Sequence, residues 1–431
     1  MLGRPGGSTL KYCCGEASLP GSARCTSRAR DALALRYSAA AKPDVDALAH
    51  AYCNAMRSLY HTYPDDSDAA VLFAESEMDL HPWALYTTAG TPIEGTAEIV
   101  TNLDMVLAHD PEHIGANHFL IHATEASTSP ERALPSAFRL RRMTFEPAAA
   151  HLVHMPAHTF MRTGDYTNAV ASNVYATMHD RMFMSVMHDP EGDLYFSHDL
   201  FFLSSSATME GDFATAHRAA ADMIGEDAIE PLLFVYLRFN RWGDILAMAQ
   251  PKTSPFEPLR LPVWRFARGM AHVDVGDLGA AKADLIALEQ FESSMRVPGV
   301  NGFYNGSQKI LGVASRLLSA RLAWVAGDHS GAIAKLIDAV AMQDSFRYIE
   351  PPDWYGPARE ALGAALCKTG DFTRAERVFR DDLARNPRNP RSLFGLMTAL
   401  DSEGRADDAA YVRAQFASGW VGEKLSLGDL F

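Results

Sequence analysis

One short punctuation mark recurs along most of this 431-residue chain and limits its folding more than any other feature. A Gly, most often followed by Asp, closes an apolar stretch, and an Ala stands five residues beyond it. The copies are Gly164-Asp165 with Ala169, Gly211-Asp212 with Ala216, Gly276-Asp277 with Ala281, Gly327-Asp328 with Ala332, and Gly370-Asp371 with Ala375. Gly404 with Ala409 fits the same grid, and Gly243-Asp244 fits it in weaker form, at intervals of 47, 32, 33, 51, 43 and 34 residues. The physical reading is a helical hairpin. One helix ends at a Gly that tolerates the turn, and a second begins whose small Ala packs closely on the first. An irregular helical bundle is the alternative.

From Asp44 onward, apolar residues fall at three- and four-residue spacing and strand-like alternation is nearly absent, which predicts helix almost throughout. Intervals near 34 resemble tetratricopeptide repeats. The clearest copy is 357–387, with Leu362-Gly363, Gly370-Asp371-Phe372, Ala375, Phe379 and a closing Pro387. The longer intervals call for insertions at 178–197 and 340–356. The expected fold is an all-α, tetratricopeptide-like solenoid with a concave groove over 31–420, its His-rich repeats at 110–225 and further repeats at 226–420. Residues 1–30, rich in Gly and Ser, are expected to be poorly ordered or atypical, and 421–431 to form a C-terminal tail.

Charge and cysteine content narrow the partners. Lys+Arg number 39 against 53 Asp+Glu, a formal charge of -14, which argues against nucleic acid and against an anionic membrane surface. No run of eighteen apolar residues would span a bilayer, and the first thirty residues lack the apolar stretch of a secretory signal. Five cysteines without a CxxC pair fit a reducing, cytoplasmic setting. Self-association is left open.

Seven of the sixteen histidines form a repeating arrangement. The first group is His113-Ile-Gly-Ala-Asn-His118-Phe-Leu-Ile-His122-Ala-Thr-Glu125, the second His151-Leu-Val-His154-Met-Pro-Ala-His158, the third Tyr195-Phe-Ser-His198. On an ideal helix His118, His122 and Glu125 fall within about 60° of one another, as do His151, His154 and His158. Counted against the repeat grid, His151 and His198 share one slot, His118 and His154 a second, His122 and His158 a third. Neutral imidazoles with a carboxylate are the donor set of Cu, Zn or Fe. His151 and His158 lie about 10.5 Å apart along a helix, so one ion would not take all three. Either two ions bind or some histidines orient others or meet substrate. Pro156 should kink its helix. Arg162, four residues beyond His158, is a candidate for an anionic substrate. Met178, Met182, Met184 and Met187 crowd one segment, where gap-filling is the commoner use of thioethers.

Several of these strings together resemble a bacterial family of tetratricopeptide-repeat proteins. They are His118-x3-His122-x2-Glu125 before Pro130-Glu131-x-Ala133-Leu134, His151-Leu-Val-His154-Met-Pro156-Ala-His158, Pro351-Pro352-x-Trp354-Tyr355, and Arg380-Asp381-Asp382-Leu383. The resemblance covers about 30–420 and implies a fold and a shared groove-lining site, but no reaction. In tetratricopeptide arrays the three histidine slots line the concave groove, so the resemblance implies that they face one cavity. Ile114 stands where the family usually has Pro, and Asp199 where it has Asn. The family also carries repeats upstream, where this chain has its Gly/Ser/Cys-rich segment.

The expectation is therefore a mono- or dinuclear metalloprotein, an oxidative or hydrolytic enzyme acting on a small molecule. Its ligands would be His118, His122, His154 and His158, completed by His151 and His198, with His113 offset and Glu125 as ligand or general base. A metal-independent scaffold that captures a peptide is the competing expectation, and metal storage or delivery a third.

Overall fold

The computed structural model describes residues 22–187, 192–223, 229–252, 258–294 and 305–431. At each recurring Gly-Asp the first residue ends one helix and the second starts the next. Gly164 takes φ 76°, a region costly for a side chain. The Asp165 N–H then reaches back to Phe160 O at 2.8 Å, and its carboxylate accepts from Asn168 N–H at 3.3 Å. Asp212 repeats this with Ala207 O (2.9 Å) and Thr215 N–H (3.0 Å), and Asp371 with Leu366 O (2.9 Å) and Arg374 N–H (3.3 Å). Ala169, Ala216, Ala281, Ala332, Ala375 and Ala409 all have no exposed surface, as close helix packing requires. The weak copy differs. Gly243 lies inside a helix, and Asn240, at φ 53°, makes that turn instead.

The chain divides into two units, one ending at Met143 and the other Thr144–Phe431. The first has α1 Ser22–Ala34, α2 Val45–Thr62, α3 Ser67–Met78, α4 Thr96–His109, α5 Ile114–Glu125 and α6 Leu134–Arg142. Its core is built on Met56, Phe73, Ile99, Leu103 and Leu120. α1 runs through the expected boundary at residue 30, because Ala29 and Ala32 are buried among α2 and α3 residues. Residues 1–21 lie outside the described set.

The second unit begins with α7 Ala150–His154, α8 Pro156–Thr163, α9 Tyr166–Met187, α10 Gly192–Glu210 and α11 Phe213–Asp222. It continues with α12 Glu230–Arg238, α13 Trp242–Ala247, α14 Arg260–Asp274, α15 Leu278–Ser294, α16 Ser307–Val325 and α17 His329–Asp344. α18 Ala358–Lys368, α19 Phe372–Arg385, α20 Pro390–Ser402 and α21 Ala406–Gly419 complete it. Successive helices pack as neighbours, as in a tetratricopeptide-like solenoid. Gly363 in the clearest repeat and Gly395 on α20 both press on the Phe379 ring, so closely that an added Cβ would lie 2.4 Å and 2.1 Å from it.

Within this second unit the arc closes on itself. The Tyr166 hydroxyl donates to Pro387 O (3.1 Å) and the Arg162 guanidinium to Arg385 O (3.3 Å). Val421 N–H donates to Glu210 O (3.0 Å), and Gly211 sits against the Trp420 ring. Farther in, Arg238 makes a two-pronged, fully buried ion pair with Glu360, and Asn240 bonds Asp429 at 3.1 Å. Residues 421–431 form no helix, yet Leu430 and Phe431 join the core.

Among the described residues no helix is long and apolar enough to cross a membrane. Cys53 and Cys367 are buried free thiols.

Candidate functional site

Pro156 shapes the local backbone. Lacking an N–H, it breaks the helix into α7 and α8 at Met155, and the His158 N–H bonds Met155 O at 3.2 Å. His154 thus ends α7, His158 stands in the first turn of α8, and His198 comes from α10.

Three imidazole nitrogens meet there. His154 Nε2 lies 2.7 Å from His158 Nε2 and 3.2 Å from His198 Nε2. His154 is completely buried and its orientation is set from behind. Asn173 donates its amide to Ala169 O at 3.0 Å, which turns its Oδ1 toward His154 Nδ1 at 2.6 Å. The proton of His154 therefore sits on Nδ1, and the Nε2 lone pair points at the other two rings. The three ring nitrogens converge closely enough to share one cation. Tetrahedral coordination at 2.0–2.1 Å separates donors by about 3.3 Å. The 3.2 Å pair already stands there, and the 2.7 Å pair is at hydrogen-bond distance and would open slightly.

Burial, reinforced by the charges of His158, His198 and His151, holds the His154 pKa well below its ordinary value. The ring is thus kept in the neutral, metal-binding form. Asp199 Oδ1 lies 3.2 Å from His154 Nδ1. Burial and then the neighbouring Asp180 push the Asp199 carboxyl well above the usual range, and burial raises Asp180 to about 6.

The remaining candidates divide. His151 stands apart from the three-nitrogen cluster, its ring 6.1 Å from His154 and 5.5 Å from Tyr195. In the first unit, His118 and His122 share a face of α5 with ring centroids 5.1 Å apart. Glu125, almost fully buried, holds His122 Nδ1 at 2.8 Å. That contact orients an imidazole, which is the commonest use of a carboxylate behind a metal-bound His. His113 does not join its neighbours. It is the N-cap of α5, its Nδ1 accepting from Ala116 N–H at 3.2 Å and its Nε2 lying 3.2 Å from Asp68. Met178 and Met182, on α9, are exposed.

Arg162 lies over the Tyr348 ring at 5.4 Å and lines a pocket of about 260 Å³ in the second unit. Phe202 and Glu350 line it too. Phe202 is wedged against the cluster, its centroid 4.9 Å from His154 and 4.8 Å from His158. A Glu350 carboxylate oxygen lies within 4.8 Å of a His158 ring nitrogen. Sequence reasoning missed Asn173, Phe202 and Glu350. A buried Asn facing a His slot across the hairpin was the one signal available for the first.

Fold and site define a tetratricopeptide-like helical repeat protein with an imidazole cluster beside a pocket. No protein-family model matches the chain, and no curated protein matches it. Among solved structures it is similar to a human IFIT1 dimer with PPP-AAAA, at 11% identity and TM-score 0.34 over 91% of this chain and 72% of that one. It is also similar to yeast Tom70, at 13% identity and TM-score 0.35 over 90% of this chain and 85% of that one.

Proposed function

We propose that this chain is a metalloprotein, an enzyme acting on a small molecule, and that it belongs with the bacterial family whose histidine strings it resembles. His154, His158 and His198 hold one transition-metal ion, Cu, Zn or Fe. The observation that carries this reading is the convergence of three Nε2 atoms, one locked in its tautomer by Asn173. Three imidazoles leave a coordination position open for water or substrate, the pattern of a catalytic site rather than a structural one. His118 and His122, with Glu125 behind the latter, are a second donor set in the first unit and would serve a second ion. His151 is a neighbour that adds to the local field. The ion would supply Lewis-acid or redox chemistry. Glu350, close to His158, takes the acid–base role that spacing alone suggested for Glu125.

The test is metal analysis of protein purified without nickel resin, wild type beside His154→Ala with His158→Ala. We expect about one ion per chain in the wild type, or two if the α5 set is filled, and a loss of one in the variant. Less than about 0.2 ion per chain in the wild type after incubation with Cu, Zn and Fe salts would end the reading.

A further inference from the structure

A second, smaller pocket of about 70 Å³ lies where the second unit closes, and none of the cluster histidines lines it. Arg238 from α12, Arg321 from α16, Arg391 from α20 and Tyr355 all do. Arg238 and Arg391 are almost wholly buried. Two guanidiniums so placed need two counter-charges, because an uncompensated buried charge is costly. Glu360 supplies one, paired with Arg238. Arg391 instead turns to backbone, donating to Asp429 O at 2.7 Å and to Arg238 O. The Asp429 carboxylate is held by Asn240 and Ser426, and Phe431 O by Lys368 Nζ. Burial and then the charge of Arg238 depress the Arg391 pKa to about 9, as befits a cation short of a counter-charge.

Donors remain as well. The Nε–H groups of Arg238 and Arg391 are buried and meet no acceptor among the described residues. The side chain of Arg321 is largely buried, and its ion-pair partner Asp274 stands 3.6 Å away, beyond hydrogen-bond reach. Tyr355 sits in the field of all three guanidiniums. One water takes about 10–15 Å³ of such space, so the pocket has room for a group of roughly five heavy atoms.

We propose that this pocket binds one small tetrahedral oxyanion of the phosphate or sulfate type, its oxygens accepting from Arg321, from the Nε–H groups of Arg238 and Arg391, and from the Tyr355 hydroxyl. Guanidinium forks match an oxyanion in shape, a match that a spherical halide cannot use. The site joins α12, α16 and α20 to the segment around Tyr355, so the anion cross-links the closed unit. Because it binds the folded chain alone, its concentration sets part of that unit's stability. The site is separate from the imidazole cluster and needs no metal.

The experiment is calorimetric titration of the full, chelator-stripped chain with inorganic phosphate and with sulfate, in sodium chloride buffer of fixed ionic strength. We expect one site with Kd of about 1 mM or tighter, and a melting transition raised by roughly 3 °C at ten times Kd. Arg321→Gln should weaken both oxyanions about tenfold or more. Tyr355→Phe, which keeps the ring stacked on Phe234, should weaken them about three- to tenfold. Arg316, also on α16, pairs with Glu292 outside the pocket, so Arg316→Gln removes the same charge and should leave both affinities unchanged. No saturable binding of either oxyanion would overturn the proposal. So would equal weakening by Arg316→Gln and Arg321→Gln, which general charge screening predicts, or wild-type affinity in folded Tyr355→Phe. Binding lost in His154→Ala with His158→Ala but kept in both pocket variants would move the anion to the imidazole cluster and equally end it.

Discussion

His154 carries most of the chemistry at the scale of single residues, and its surroundings make it testable. In the fold it stays neutral at pH values where a free imidazole, near 6.5, takes a proton. The unfolded chain thus binds that proton first. The stability His154 supports is fully present above about pH 6.5 and is lost as pH falls from there toward its lowered folded value. In metal-free protein, urea melts at pH 7 and pH 5 should show a larger loss for wild type than for His154→Gln, by at most about 1.4 kcal/mol per pH unit. Asn173→Leu frees the ring to take the other tautomer, and we expect metal affinity to drop by about 10–100-fold with little change in helical content. A competition assay with a chromophoric chelator reads this directly. His118, His122, His154 and His158 were legible in the sequence because helical spacing is local. Glu350 was not, because it reaches the cluster from a segment that only the closed fold brings back, and Phe202, one turn beyond His198 on α10, lay on the same helical spacing but was passed over. His113 was misread for a related reason: position in a string does not distinguish a ring that lines a face from one that caps a helix.

At the scale of elements, the hairpin turn was almost wholly readable. A Gly needing positive φ, an Asp that caps, and an Ala that vanishes into the interface are three consequences of one geometry. The failure at Gly243 is informative. Asn tolerates the left-handed region well enough to replace Gly, so a grid built on glycines slips by three residues there. The turns also differ in what surrounds them. A Cβ on Gly276 would meet open space, whereas one on Gly164 would lie 2.0 Å from Pro387 O. Gly276→Ala should therefore cost about 1 kcal/mol from φ alone. Gly164→Ala should cost several kcal/mol, because backbone must also move aside. Chemical melts of the two single variants separate the terms, and equal losses would show that the 164–387 contact contributes nothing.

For the second unit as a whole, no periodicity announced that its ends would meet. Closure rests on long-range polar contacts whose members look unremarkable in the sequence. Arg238 and Glu360 are 122 residues apart, and each is nearly inaccessible to water. Removing one partner strands the other charge, so Arg238→Met should destabilise the unit by about 3–5 kcal/mol, read from its melting transition. Arg238→Met with Glu360→Leu should recover much of that loss, which a merely crowded site would not allow. An open array of hairpins is stabilised one neighbour at a time, and its length can drift as copies are gained or lost. A ring has no such freedom. Because the turn at Gly211 already rests on Trp420, one more hairpin would have no berth and one fewer would leave a gap. The contact of the Gly211 turn with Trp420 thus ties the number of hairpins between them to the closure of this unit.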